Sequence, residues 1–400
     1  MTQHRVTAYQ NAEATLKIPT LMQALYDADP IFLPQTVVCL HGDAHREKRK
    51  AVLSVFTRDF FRDYQNRVFP GALAESLAPV QAAGRGDMVQ FAYRVLVNLV
   101  ADSAGIDRAH TEEDTDRILR LIGGLAKAPT MGQMVAGDRD AALARIEAAL
   151  EEFERDFYTP SAARRQALID AGGDTPHDML TALLRTYPDG KLSRDVLVKD
   201  AAFFILAGAF TTGNVLMHTV NDVLTWCRDH PGTRGQLLAD PGLLQKFVWE
   251  AIRLHPASPV SRRKPTGPVN VPGGAEAVPG DLVEVDIMEA NRNPDVFGPD
   301  ADRFNPYREL SSRVPLTGIS FGAGPHACPG RILAGGLKIT PDNINSDETE
   351  FGTIHLVVQA LLRAGIDLDP DNPAVIDETT TRRHLHALPF VLRPDLAVGA

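Results

Sequence analysis

Residues 201–221, AAFFILAGAFTTGNVLMHTVN, carry no formal charge across 21 positions. A helix of about that length spans a bilayer. The alternative is a helix buried on every side within a large core. Thr211, Thr212, Asn214, His218 and Thr219 crowd the second half of the stretch, which favours the buried core helix over a membrane span. Ser193 stands where an N-cap belongs, and His230-Pro231-Gly232 stops the apolar run. The expected helix therefore continues from Val196 to about Trp226, unusually long for a central element.

The rest of the chain reads as the setting for that helix. With 400 residues, 44% hydrophobic and 23% charged, it can bury a large core, and one mainly α domain over 1–400 is the simplest organisation. Helices are expected at 45–60, 88–105, 111–126 and 138–158. Another should run from Pro241 to about His255, where Pro256 and Pro259 end it. Residues 269–287 change to a period-two apolar pattern with turn glycines, which predicts a small antiparallel sheet.

Composition excludes several functions. The polar N-terminus lacks the apolar core of a signal peptide, so no membrane anchor and a cytoplasmic location are expected. Cys39, Cys227 and Cys328 are odd in number and far apart, against a disulfide framework. No CxxC or HExxH pair supports a closed zinc site. A net charge of −10 argues against a nucleic-acid partner.

Three blocks carry chemistry. In FGAGPHACPGRILA, residues 321–334, Cys328 sits among glycines and prolines. Gly322 and Gly324 permit positive φ and close approach of the backbone to a flat ligand, and Gly330 can do the same. Such a loop can aim N–H groups at a thiolate. A hydrolase nucleophile with His326 as base is the rival, yet side chains two apart in a constrained loop do not readily meet. In HGDAHREKR, His45 and Arg49 are four apart and share a helix face. In EAIR, Glu250 and Arg253 share one likewise.

The first block resembles the haem-ligand loop of the cytochrome P-450 superfamily, F-G-x-G-x-H/R-x-C-x-G-x-x-L-A, at every defined position. EAIR resembles the family's ExxR element, His45 and Arg49 its H-x-x-x-R pair. AGAFTT, residues 207–212, is similar to its oxygen-binding segment A-G-x-D/E-T-T. Together the blocks cover about 40–335. The resemblance implies a triangular helical prism with small antiparallel sheets around haem b, the iron ligated by Cys328. Phe321, Gly322, His326 and Gly330 would shape that site. The propionates would be met by His45, Arg49 and His326 with Arg262 or Arg263. Arg303 would complete a buried ionic triad with Glu250 and Arg253.

The implied activity is a monooxygenase fed from NAD(P)H through a ferredoxin or flavodoxin. It would act on an apolar small molecule, free or tethered to a carrier. Candidate walls are Phe32, Leu33, Val37, Val38, Phe203, Ala207, Phe210, Val260 and 385–388. Lys48, Lys50, Arg331 and Lys338 are candidates for a basic docking patch. Catalytic candidates are Thr211, Phe210 and Ala207, with Phe210 standing where the family has an acid. That departure leaves a peroxide-using or radical-coupling enzyme, or a haem sensor without turnover, as alternatives. Two other departures are a shortened N-terminal part and an acidic, proline-interrupted insertion at 337–353.

Overall fold

The computed structural model describes residues 2–133, 138–187, 191–344, 346, 349–379, 382 and 384–398. The elements that position the site are strands β1 (Gln3–Val6), β2 (Leu21–Gln23), β3 (Val260–Pro265) and β4 (Leu282–Asp286). The helices are α1 (Gly42–Leu53), α2 (Met88–Ala104), α3 (Glu112–Leu125), α4 (Arg194–Asp229), α5 (Pro241–Leu254), α6 (Arg331–Gly335) and α7 (Thr353–Arg363).

Side chains that capture free N–H groups set the helix starts. Ser193 Oγ accepts from Val196 N at the head of α4, and Asp240 accepts from Leu243 N ahead of Pro241 in α5. Asp87 accepts from Val89 N for α2 and Thr111 from Asp114 N for α3. The helix expected over 45–60 is two: α1 ends at Leu53, and Thr57 caps a separate helix Arg58–Asp63. That over 138–158 is continuous but passes from α into a π turn at Glu154–Tyr158.

Helix α4 runs 36 residues through the core. It is long and apolar enough to cross a membrane, and half of its most apolar window is buried inside the protein. It lies close along α2 because small residues meet large ones there. A Cβ at Gly208 would stand 2.9 Å from Val100 Cγ1, and one at Gly213 would stand 3.1 Å from the Tyr93 ring. Both glycines act in helix packing.

The main sheet has the order β1-β4-β3-β2. Pairing of β3 with β4 and with β2 is antiparallel, whereas β1 runs parallel to β4, Gln3 opposite Leu282. Within 269–287 the expected antiparallel pairing is present, Val269 opposite Ala277, and β4 adds a parallel edge with β1. Strands β1 and β2 both lie before α1, in the N-terminal part expected to be shortened. Buried apolar side chains form two clusters, a large one around α2 and α4 and a smaller one between the sheet and Tyr9–Leu16.

The family-like segment at Cys328 does not continue as one helix. Gly336 and Gly352 have φ of +78° and +83° and stand back to back, so a Cβ on either would run into the other strand's backbone. Leu337 N donates to Glu350 O across this neck at 2.8 Å. Ile339 N donates to Gln245 Oε1, and Gln65 Nε2 donates to Thr349 O. The expected insertion at 337–353 is thus a closed lobe held by two glutamine side chains. Its residues 345, 347 and 348 lie outside the described residues.

Candidate functional site

The Cys328 loop is fastened before it turns. Asn291 Oδ1 accepts from Ile319 N, and Ser320 Oγ donates to Ile252 O at the end of α5. Cys328 N donates to Phe321 O at 2.8 Å. Gly322 and Gly324 take φ of +67° and +68°, as expected, and a Cβ at 324 would press into Leu16 O at 2.7 Å. Gly330 differs from expectation: its φ is −88°. Its contribution is an N–H directed at the Cys328 sulfur. Burial pushes that thiol up, while the Gly330 N–H and the cations Arg49 and Arg331 pull the other way.

Behind the loop, Arg253 is fully buried and grips Glu250 with two bonds of 2.8 and 2.7 Å. Its other donors reach Asn291 O and Ala301 O, and its guanidinium lies 4.9 Å from the Phe297 ring centroid. Arg308, at 3.3 Å from Glu250, completes this knot. The expectation for Arg303 is corrected: its side chain is exposed and only its carbonyl takes part, accepting from Arg253 and Arg308. The loop turns between the two arginines at Pro306-Tyr307, closed by Arg308 N donating to Asn305 O, and the Arg308 side chain reaches Glu250.

On the other side of the cysteine lies a group of cations and imidazoles. His45 is 3% exposed, and its Nε2 has no hydrogen-bond partner. Its ring centroid is 4.2 Å from that of His326, and His41 is 5.8 Å from the same ring. Arg49 Nη2 donates to Ala327 O at 2.6 Å. Burial, then the charges of His45, Arg263, His41 and Arg49, push His326 down to about 3. Burial likewise pulls Arg263 to about 10.

Strand geometry decides between the two neighbouring arginines, because successive side chains of β3 face opposite ways. Arg263 turns inward and is held by the Gln23 side-chain oxygen. Arg262 turns outward to Glu284 Oε2 at 2.9 Å. Among the described residues neither Arg49 nor Arg263 pairs with a carboxylate. Lys48, expected in a basic patch, is buried instead, 2.6 Å from Asp200. Lys50, Arg331 and Lys338 are exposed.

Phe203, Ala207 and Thr211 follow at steps of four on α4 and form its open ridge. Thr211 is exposed in mid-helix although residues 212–217 are all buried. Its Oγ1 donates to Ala207 O at 2.6 Å. Phe210 lies about 100° round the helix and stacks on Tyr93, centroids 4.5 Å apart. It is therefore a packing residue between α2, α3 and α4, and not a neighbour of the Thr211 hydroxyl as the linear motif suggests. Phe32 meets Phe203 edge to face at 6.5 Å, and its loop is held by Asp29, which accepts from the N–H groups of residues 31–33.

Sequence reasoning passed over His41 and Arg308. The first carries a signal, since His41, His45 and Arg49 repeat at steps of four. The second carries none beyond its place in the same loop.

The family profile described as Cytochrome P450 matches residues 221–335. Erythromycin C-12 hydroxylase of Saccharopolyspora erythraea is 30% identical over 297 residues, 72% of this chain and 67% of that protein. Benzoate 4-monooxygenase bphA of Aspergillus niger is 32% identical over 171 residues, 36% of this chain, and the match spans about a third (32%) of its length. The solved structure of P450BioI in complex with an acyl carrier protein carrying hexadec-9Z-enoic acid superposes with a TM-score of 0.74 at 20% identity. It covers 97% of this chain and 92% of that one. The chain belongs to the cytochrome P450 superfamily, whose members hold haem through a cysteine thiolate.

The residues present fit that group. A lone cysteine receives an N–H, a glycine-kinked loop clears space beside it, and two guanidinium groups without carboxylate partners, buried Arg263 and half-buried Arg49, suit a dianionic ligand. The unpartnered Nε2 of His45 and the exposed ridge at Thr211 mark two sides of the place it would take.

Proposed function

We propose that the chain is a haem-thiolate monooxygenase that inserts one atom of dioxygen into a mainly apolar small molecule, with NAD(P)H electrons arriving through a ferredoxin or flavodoxin in the cytoplasm. The observation that carries this reading is the cradle of His41, His45, Arg49, Arg263 and His326 beside Cys328, in which two guanidinium groups, that of Arg263 buried and that of Arg49 half-buried, have no carboxylate partner among the described residues. When bound, haem supplies the binding and activation of dioxygen.

The chain's own residues do the rest. Cys328 would ligate the iron, its thiolate steadied by the Gly330 N–H and by Arg49 and Arg331. Arg49, Arg263, His45 and His326 would hold the two propionates, with Arg262 left to Glu284. Thr211 Oγ1, its proton committed to Ala207 O, offers lone pairs toward the open ridge. Phe203 and Ala207 present the apolar surface on which a substrate would lie. The balance is RH + O2 + NAD(P)H + H+ → ROH + H2O + NAD(P)+.

The test is spectroscopic and then chemical. The reduced protein with carbon monoxide should show the red-shifted absorption of a thiolate-ligated haem. Cys328→Ala should lose it, whereas Cys39→Ala and Cys227→Ala keep it. Retention of the band in Cys328→Ala would overturn the ligand assignment. With a surrogate ferredoxin and a panel of apolar compounds, hydroxylated product should follow NADPH consumption. Spectral shifts on binding without any product would make the protein a sensor instead.

A further inference from the structure

Lys48 is out of place for a lysine. It lies on α1 between His45 and Arg49 of the cradle, yet its side chain is 7% exposed, and a lysine is almost never buried unless its ammonium is paired. Nζ donates to Gln35 O at 2.8 Å and stands 2.6 Å from Oδ2 of Asp200 on α4, a side chain 10% exposed. No donor is aligned along a hydrogen-bond line to Asp200 Oδ2, so charge carries that contact. One ammonium thus joins three parts of the fold: α1, α4 and the loop of residues 29–39.

That loop and that part of α4 form the apolar wall. Phe32 and Leu33 are fully buried, and Phe32 meets Phe203, three residues beyond Asp200, edge to face. Within the loop the bonds are local. Asp29 gathers the N–H groups of residues 31–33, and Thr36 Oγ1 donates to Leu33 O at 2.7 Å. The bond from Lys48 comes from another element and arrives two residues beyond Leu33, where it sets how the whole turn sits against α4.

We propose that Lys48 and Asp200 are positioning residues for the substrate wall: the charged pair holds the 29–39 loop on α4, and loss of either charge lets Phe32 leave Phe203. The wall's part in holding a substrate rests on the monooxygenase reading; the latch itself does not. An ammonium buried beside a neutral acid is costly. Lys48 escapes that cost by swinging its flexible stem to water, which releases Gln35 O. Asp200 is the member that changes charge. Burial, partly offset by the Lys48 charge, pushes it up to about 6, so the latch is closed above that pH and opens as pH falls through it. Tyr158 on the π turn and Tyr187 after the helix Met179–Thr186 also face Asp200, and burial holds both above the usual phenol value, so neither changes charge there. Glu154 and Arg194 flank Tyr158, Glu47 of α1 flanks Tyr187, and on α4 itself Lys199 pairs with Asp195 at 2.9 Å.

The test uses the full-length haem-loaded protein, reduced, and two haem ligands that do not themselves titrate. Methyl isocyanide needs the iron alone, whereas benzyl isocyanide also lays a ring on the wall. The ratio of their dissociation constants, read from absorption spectra, should move against benzyl isocyanide by roughly fivefold or more between about pH 8 and about pH 5, with its midpoint at about 6. Lys48→Met and Asp200→Asn should give the low-pH ratio at every pH, and Asp200→Glu should bring the step back. Lys48→Met/Asp200→Leu, which packs apolar side chains where the charges were, should be flat as well and serves where a single variant does not fold. Independently of any haem ligand, hydrogen exchange of the amides of 30–39, corrected for intrinsic rates, should speed up in the wild type as pH falls through the same midpoint and be fast throughout in Lys48→Met. A protein that binds neither isocyanide would therefore sink the monooxygenase reading and leave the latch readable. A flat wild-type ratio, a pH step that survives in Asp200→Asn and so belongs to another group such as His45, or equal exchange in wild type and Lys48→Met would overturn the proposal.

Discussion

Two clusters of basic side chains flank the Cys328 loop and are built on opposite principles. In the Glu250–Arg253–Arg308 knot each arginine finds carboxylate or carbonyl acceptors within the protein. In the His41–His45–Arg49–Arg263–His326 cradle no carboxylate answers the charge, and His45 Nε2 is left without a partner. Saturated hydrogen bonding makes the first a brace. On the proposed reading an anionic ligand completes the second, because burying a cation or an imidazole without compensation is costly.

The sharpest way to test the contrast is to open the brace. Arg253→Met takes from buried Glu250 its bidentate partner, leaving only Arg308 and the Asn305 N–H, and should cost about 3–5 kcal/mol, read as a lowered urea midpoint in apoprotein and haem-loaded protein alike. A loss seen only with haem bound would make the knot part of the ligand site.

His355 probes the rule next, because it is fully buried with both ring nitrogens unpartnered, yet it sits on α7 away from the cradle motifs. Burial pulls it down to about 4. The folded state holds it neutral, while the unfolded chain takes a proton below about 6.5. Its neutral form therefore weighs fully for stability above that value. The loss grows as pH falls from about 6.5 toward 4, by on the order of 3 kcal/mol. His355→Leu should flatten that slope in denaturation curves and leave haem retention alone. Lost haem in this variant would mean the orphaned ring belongs to the ligand's surroundings.

Opening the cradle should do the reverse of opening the brace. His45→Ala and Arg49→Ala should weaken haem retention by roughly 10–100-fold, measured by transfer to apomyoglobin, while apoprotein stability is unchanged or raised. A destabilised apoprotein with normal haem affinity would turn the cradle into a second brace. The smallest effects belong to the neighbours that point away. Phe210→Leu removes the stack on Tyr93 and should cost about 1 kcal/mol without affecting haem. Arg262→Ala should change stability by less than about 1 kcal/mol and leave haem retention at the wild-type level, unlike Arg263→Ala.

Much of this was legible from the residues alone. The uncharged run at 201–221 favoured a buried helix, and Ser193 and Pro241 marked helix starts through chemistry local to one turn. The cysteine loop was legible for the same reason, since Gly322 and Gly324 act on their own φ angles. Legibility failed where a choice depended on a partner far along the chain. Arg303 and Arg308 are equally good arginines in one loop, and only the turn at Pro306-Tyr307 brings the second to Glu250. Arg262 and Arg263 are adjacent and chemically identical, and which one faces the cradle follows from the register of β3 against β2 and β4.

Phe210 shows the division most plainly. A motif written as a line puts it beside Thr211, but a helix turns 100° per residue, and Tyr93 on α2 was waiting on the face to which that turn carries it. Likewise Lys48 reads in the sequence as one more surface lysine, and it is buried because Asp200 on α4 and the carbonyl of Gln35 are brought to its ammonium. The chain alone thus indicated most of its long helices, the cysteine loop and the types of residue gathered at the candidate site, because those depend on local backbone freedom and periodicity. Tertiary structure decided which cations are braced and which are left for a ligand, because a hydrogen bond is satisfied or missing only once distant segments have been brought within 3 Å of one another.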